Sequence, residues 1–423
     1  MNDISVNLPV IWKWGRRVGF SILDQGLFSG ANFILSILLA RWLSPEEFGA
    51  YAVAFSGFLL GFGLFNSVIL DPLMVFGSSK PLTTVNDYLK KMLTLQGLLN
   101  SLIFLGLVII GIFSKGIFKT AFIGMSVFTP LVLTIWFLRS KFYVSSQAGK
   151  ALVLSIVYSG FLLGSVTILG VNDQLNLINA FICQILAGIF AVILGILLSP
   201  EINNKTKQDV INTREFLNET WNYSKWIMAT TVADGIAFSL FPPILSSLIG
   251  LEVAGAFKAV QNLVNPAQQY FVAVYLLFMP ILSKKWGQKD FRNVRKKFSY
   301  ITLIPILVYG IFISLFPKQI LLILYNNSYY NNFSWLVPFF SFFIMILWGR
   351  FLLTTLIRVK RSPSGLFYGK LAALGMFLIS LIPILLIKSI WIIAASMIIV
   401  SLVEFAVLIR HLATQKIQLS RRE

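Results

Sequence analysis

Long apolar runs separated by short polar connectors recur along the whole chain, and no other feature limits its fold so strictly. A run of about 20 apolar residues is the length a helix needs to cross the hydrocarbon core of a bilayer, where its backbone must satisfy its own hydrogen bonds. Read by hydropathy, helices one to twelve fall at roughly 18–40, 48–74, 88–113, 117–138, 151–170, 175–198, 224–250, 254–282, 298–316, 333–357, 364–387 and 389–410. Composition agrees: 57% of residues are hydrophobic and 12% charged, and the mean hydropathy is +0.81, outside the range of soluble globular chains. The expected fold is an all-α polytopic membrane protein of about twelve transmembrane helices.

The formal net charge of +19 would elsewhere point to nucleic acid, but topology accounts for it. With a cytoplasmic N-terminus, about 28 of the 35 Lys and Arg fall in cytoplasmic loops and ends, about 5 outside, and 2, Lys258 and Arg350, within the membrane. No nucleic-acid partner is expected, because the charge is divided among short loops. The same topology puts both termini in the cytoplasm. Arg139, Lys141 and Lys150 mark one inner loop, residues 325–332 form a Tyr- and Asn-rich outer loop, and the basic loop 283–297 is placed to set topology or to meet anionic lipid headgroups. The domain reading is a cytoplasmic segment 1–17, whose Trp12, Lys13, Trp14, Arg16 and Arg17 suit the headgroup region, an N-lobe 18–200, a polar linker 201–223, a C-lobe 224–412 and a tail 413–423.

Helix one has a polar stripe. Ser21, Asp24, Gln25, Ser29, Asn32 and Ser36 share one arc at helical spacing, with Phe, Ile and Leu elsewhere. A carboxylate at that depth is costly unless paired or hydrated, so Asp24 must face other helices or a water-filled cavity. Ser44-Pro45-Glu46-Glu47 then carries the marks of a helix start: a capping serine, a proline in the first turn and a carboxylate at the third position.

Shifting the chain by 210 residues lays helix one on helix seven. Asp24 meets Asp234, Phe28 meets Phe238, Ser29 meets Ser239 and Ser36 meets Ser246, and after a short deletion Gly49-Ala50-Tyr51 meets Gly255-Ala256-Phe257. Shared carboxylate and hydroxyl positions in one register indicate a duplication. Six helices per copy is an even number, so the two six-helix lobes are expected as a parallel repeat about an axis along the membrane normal.

Helix eight is the most polar span, with Lys258, Gln261, Asn262, Asn265, Gln268 and Gln269 on one arc: a hydrogen-bonding wall carrying a cation, or a set of interhelical amide contacts. Pro242-Pro243 and Pro266 must interrupt helices seven and eight. Arg350 is either a second cavity cation or a snorkelling side chain. Asp24 and Asp234 either exchange H⁺ or Na⁺ with the cavity or pair with Arg or Lys, and Glu404 is expected to pair between helices. His411 and Cys183 are the only residues of their kinds. No metal set, nucleophilic triad or phosphate loop is visible, so neither a cofactor nor an enzymatic activity is expected.

The stretch Leu23 to Phe55, with Leu-Ala-Arg-Trp-Leu-Ser-Pro-Glu-Glu-Phe-Gly-Ala-Tyr at 39–51, resembles the helix-one to helix-two signature of bacterial polysaccharide (O-antigen) flippases of the multidrug/oligosaccharidyl-lipid/polysaccharide exporter superfamily. The resemblance implies translocation of an undecaprenyl-pyrophosphate-linked oligosaccharide across the bacterial plasma (inner) membrane by alternating access. It also implies a coupling cation and a polysaccharide polymerase acting downstream. On that reading Lys258 and Arg350 meet the pyrophosphate, and Gln261, Asn262, Asn265, Gln25 and Asn32 meet the glycan. The rivals are a lipid-linked peptidoglycan-precursor flippase, a drug/cation antiporter of the same superfamily and a polytopic glycan polymerase or ligase.

Overall fold

The computed structural model describes residues 8–77, 84–199, 211–286, 288, 290–359 and 364–420. Every regular element among them is helical. The order is α1 Leu8–Trp42, α2 Pro45–Phe65, a π-turn Asn66–Leu70, α3 Asp71–Gly77, α4 Val85–Phe113, α5 Gly116–Val144, α6 Ala148–Val171 and α7 Leu177–Leu197. There follow α8 Thr213–Ser239, α9 Phe241–Leu248, α10 Leu251–Gln261, a 3₁₀ turn Asn262–Val264, α11 Asn265–Lys285, α12 Phe291–Leu315, α13 Pro317–Tyr325, α14 Ser328–Asn331, α15 Leu336–Val359, α16 Ser364–Ile387 and α17 Ile390–Ser420. Eleven helical stretches are long and apolar enough to cross a membrane.

Local chemistry explains where helices begin and break. Ser44 and Glu47 form the reciprocal capping box expected of them: the Glu47 amide donates to Ser44 Oγ at 3.2 Å, and the Ser44 amide donates to Glu47 Oε2 at 3.1 Å. Pro72 has no amide to offer the helix before it, and the backbone relaxes through the π-turn 66–70. Pro242 and Pro243 sit in the first turn of α9, so the ladder of α8 stops at Ser239. Pro266 likewise opens α11.

Helix eight is found as expected in one unbroken helical run, α10, the 3₁₀ turn and α11 following one another from Leu251 to Lys285, with the ladder tightened just ahead of Pro266. Three expectations change. The outer loop 325–332 is largely helical, with the end of α13 and a turn of α14 capped by the Asn327 side chain. Arg139 and Lys141 are not loop residues: α5 runs on to Val144, and both are buried within it, at 1% and 2% exposure. Helix one also begins earlier, at Leu8. Residues 1–7, the linker residues 200–210, and the side chains of Trp12, Lys13, Trp14, Arg16 and Arg17 lie outside the described residues.

The helices form two compact units, Met1–Trp42 with Gly57–Ala229, and Leu43–Ser56 with Thr230–Glu423. In the first, α1 packs on α6, α4 on α5, and α5 on α7. In the second, α16 packs on α17, and α15 on α12 and α17. The second unit also contains the start of α2, which crosses α10 backbone to backbone. A Cβ on Gly49 would lie 1.9 Å from the Leu251 carbonyl oxygen, and one on Gly255 would lie 2.6 Å from that of Pro45. These are the paired glycines of the Gly-Ala-aromatic repeat, and only residues without a side chain allow so close an approach.

Candidate functional site

In the first unit, Asp24 of α1 has no exposure and faces α5. Arg139 donates from a terminal nitrogen to Asp24 Oδ2 at 2.8 Å and from Nε to both carboxylate oxygens at 3.3 Å, and the Tyr143 hydroxyl donates to the same carboxylate. The guanidinium lies 4.1 Å over the Phe28 ring and 4.8 Å over Trp136. A carboxylate buried this deeply persists because a full counter-charge and several donors replace its water. Gln25 borders the pair, accepting from Arg139 at 3.4 Å and donating to Ser29 Oγ at 3.2 Å. Asn32 turns back to the Phe28 carbonyl at 2.8 Å.

The second unit repeats the arrangement and adds to it. Arg350 of α15 sits 5.1 Å over Phe238, and its guanidinium is 3.9 Å from Asp234 of α8. Aspartate, phenylalanine and arginine therefore recur at 24, 28 and 139 and at 234, 238 and 350. Here, however, Arg350 is engaged by the buried Glu404 of α17 and by Ser401 Oγ at 3.2 Å. Lys370 of α16 bridges the two acids, 2.5 Å from Asp234 Oδ1 and 3.0 Å from Glu404 Oε1. Asp234 keeps 42% of its side chain exposed, against 1% for Glu404. Arg350 thus neither snorkels nor stands free, and Glu404 makes the interhelical pairing expected of it.

Lys258 is partnered differently. Two turns into α10, its ammonium reaches Gln261 Oε1 at 3.5 Å and lies 5.3 Å over the Phe55 ring, with no carboxylate within ion-pair distance among the described residues. The 3₁₀ turn after Gln261 divides the polar arc. Lys258, Gln261 and Asn265 are partly exposed, Gln268 and Gln269 are exposed, and Asn262 is 1% exposed against Tyr325. Two tyrosines cap the carbonyls around the turn: Tyr325 donates to the Ala259 oxygen and Tyr309 to that of Leu263, each at 2.7 Å.

The buried cations therefore extend beyond Lys258 and Arg350. Arg139 and Lys141 are buried as well, and Lys370 is 22% exposed. Arg139 is legible in retrospect, since it precedes Arg350 by 211 residues, almost the offset that pairs Asp24 with Asp234. Lys370 had no such signal. Among the described residues no three His, Cys, Asp or Glu side chains are grouped as a metal site would require.

A family profile described as "Polysaccharide biosynthesis protein" matches residues 15–286. No curated protein matches the chain in sequence. Solved structures with the same fold include an inward-facing multidrug resistance MATE family transporter of the MOP superfamily, at TM-score 0.72 and 11% identity over 96% of this chain and 98% of that one. The lipid II flippase MurJ, in an inward closed conformation, aligns at 0.66 and 15% identity over 94% and 87%. A MOP superfamily transporter from Pyrococcus furiosus, described as having a binding pocket of reversed polarity, aligns at 0.62 and 13% identity over 92% of each chain.

Proposed function

The chain belongs to the polysaccharide biosynthesis protein family, and from that premise we propose that it is a flippase moving undecaprenyl-pyrophosphate-linked oligosaccharide from the cytoplasmic to the outer face of the bacterial plasma membrane, with both termini cytoplasmic. The observation that carries the reading is the partnership of Lys258. Arg139, Arg350 and Lys370 are each neutralised by a carboxylate, whereas among the described residues Lys258 has only an amide and an aromatic face. A desolvated ammonium without a counter-anion favours an anionic ligand, and a pyrophosphate offers charge-assisted acceptors. Gln261 and Asn265 stand beside it for the glycan, while Gln25 is already engaged by Ser29 and Arg139 and Asn32 by the Phe28 carbonyl.

The likeness in fold to a lipid II flippase supports a lipid-linked cargo. The likeness to multidrug transporters keeps drug export as the second reading, but an unpaired lysine disfavours the cationic substrates such a transporter takes. Asp24, closed by Arg139 and Tyr143, serves structure on this account, and any H⁺ or Na⁺ coupling falls to Asp234. The test is the sidedness of the lipid-linked oligosaccharide in cells lacking the gene. Accumulation on the cytoplasmic face, rescued by wild type but not by K258A, is the expected result. Rescue by K258A would refute the assignment of Lys258, and unpolymerised units on the outer face would indicate a polymerase.

A further inference from the structure

We propose that Arg350 and Lys370 form a second anion site, of phosphate class, in which Asp234 is a built-in competitor that the incoming anion displaces. The inference rests on the flippase reading only for the origin of its natural ligand. Its basis is the difference between two copies of one motif. In the first unit the aspartate holds its arginine at 2.8 Å and both side chains are sealed, at 0% and 1% exposure. In the second, Glu404 draws the arginine away, the aspartate–arginine distance opens to 3.9 Å, and Asp234 is 42% exposed.

Asp234 is consequently held through Oδ1, by the flexible Lys370 at 2.5 Å and by Arg350 at 3.9 Å. The charged groups around it are Arg350 from α15, Lys370 from α16 and Glu404 from α17, with Asp234 itself from α8. Two cations and two carboxylates are neutral together. When Asp234 swings out, the remaining three carry one net positive charge beside a side chain that is already partly exposed. A phosphate oxygen can then replace Oδ1 on the Lys370 ammonium while a second oxygen meets the guanidinium. A purely structural pair would gain nothing from that exposure; the first unit shows how the same motif closes when it serves structure alone.

The test uses the full chain in lipid nanodiscs with radiolabelled sulfate, a dianion whose own charge is fixed. D234N should bind sulfate about tenfold more tightly than wild type, the size of effect expected for relieving one close charge competition. K370M should bind in neither background. Equal affinities of folded D234N and wild type, or retained binding in D234N/K370M, would overturn the proposal. If D234N does not fold, D234S decides, and equal affinities of D234S and wild type refute it. Displacement of sulfate from D234N by farnesyl pyrophosphate at lower concentration than by inorganic pyrophosphate assigns the site to a lipid-linked ligand; the reverse order assigns it to a soluble phosphate. The site is independent of Lys258: if K258A transports normally while D234N and K370M behave as stated, the Lys258 reading fails and this one stands.

Discussion

Arg139 closes on Asp24 at 2.8 Å with both side chains sealed from solvent, 115 residues apart in sequence. Removing one partner of such a pair leaves a buried charge uncompensated. R139M or D24L alone should lower stability by about 3–5 kcal/mol, and the D24L/R139M double variant should recover most of the loss. Thermal unfolding in detergent measures all three. A double variant no better than the singles would mean that the residues act separately.

The crossing of α2 and α10 at Gly49 and Gly255 leaves no room for a methyl group. G49A and G255A should each cost about 1–3 kcal/mol, as overpacking does. Gly30 of α1, whose added Cβ would meet nothing within 4 Å, is the control, and G30A should be neutral or stabilising by up to about 1 kcal/mol. Equal stability of all three variants would deny the close approach.

Tyr309 and Tyr325 hold the two carbonyls beside the 3₁₀ turn that joins α10 to α11. Y309F and Y325F should each cost about 1 kcal/mol, the net value of one hydrogen bond. Amide exchange over residues 259–266 should speed up more than exchange in α15. Unchanged exchange there would show that Pro266 alone fixes the turn.

The succession of helices and the pairing of Glu404 were legible because each leaves a local trace: apolar run length, proline position, a carboxylate inside a span. Arg139 was missed because a basic residue near the end of an apolar run reads equally as the start of a loop, and only the repeat offset restores it to the helix. The quartet around Asp234 was not legible. Lys370 lies 136 residues from Asp234, at the head of an apolar helix where a lysine ordinarily marks an interface. Which acid takes Arg350 is decided by helix packing, which no spacing records. The 3₁₀ turn in helix eight was half visible: Pro266 marks it, while the tyrosines that cap its carbonyls come from α12 and α13.

The central claim is that Lys258 receives the pyrophosphate of a lipid-linked glycan. Its most direct test is translocation of undecaprenyl-pyrophosphate-linked oligosaccharide in proteoliposomes holding wild-type, K258R or K258A protein at equal incorporation. Wild type should flip the substrate and K258R should retain part of the rate. K258A should lose at least about tenfold, the loss expected when a charged hydrogen-bond partner is deleted. K258A flipping at the wild-type rate would contradict the account.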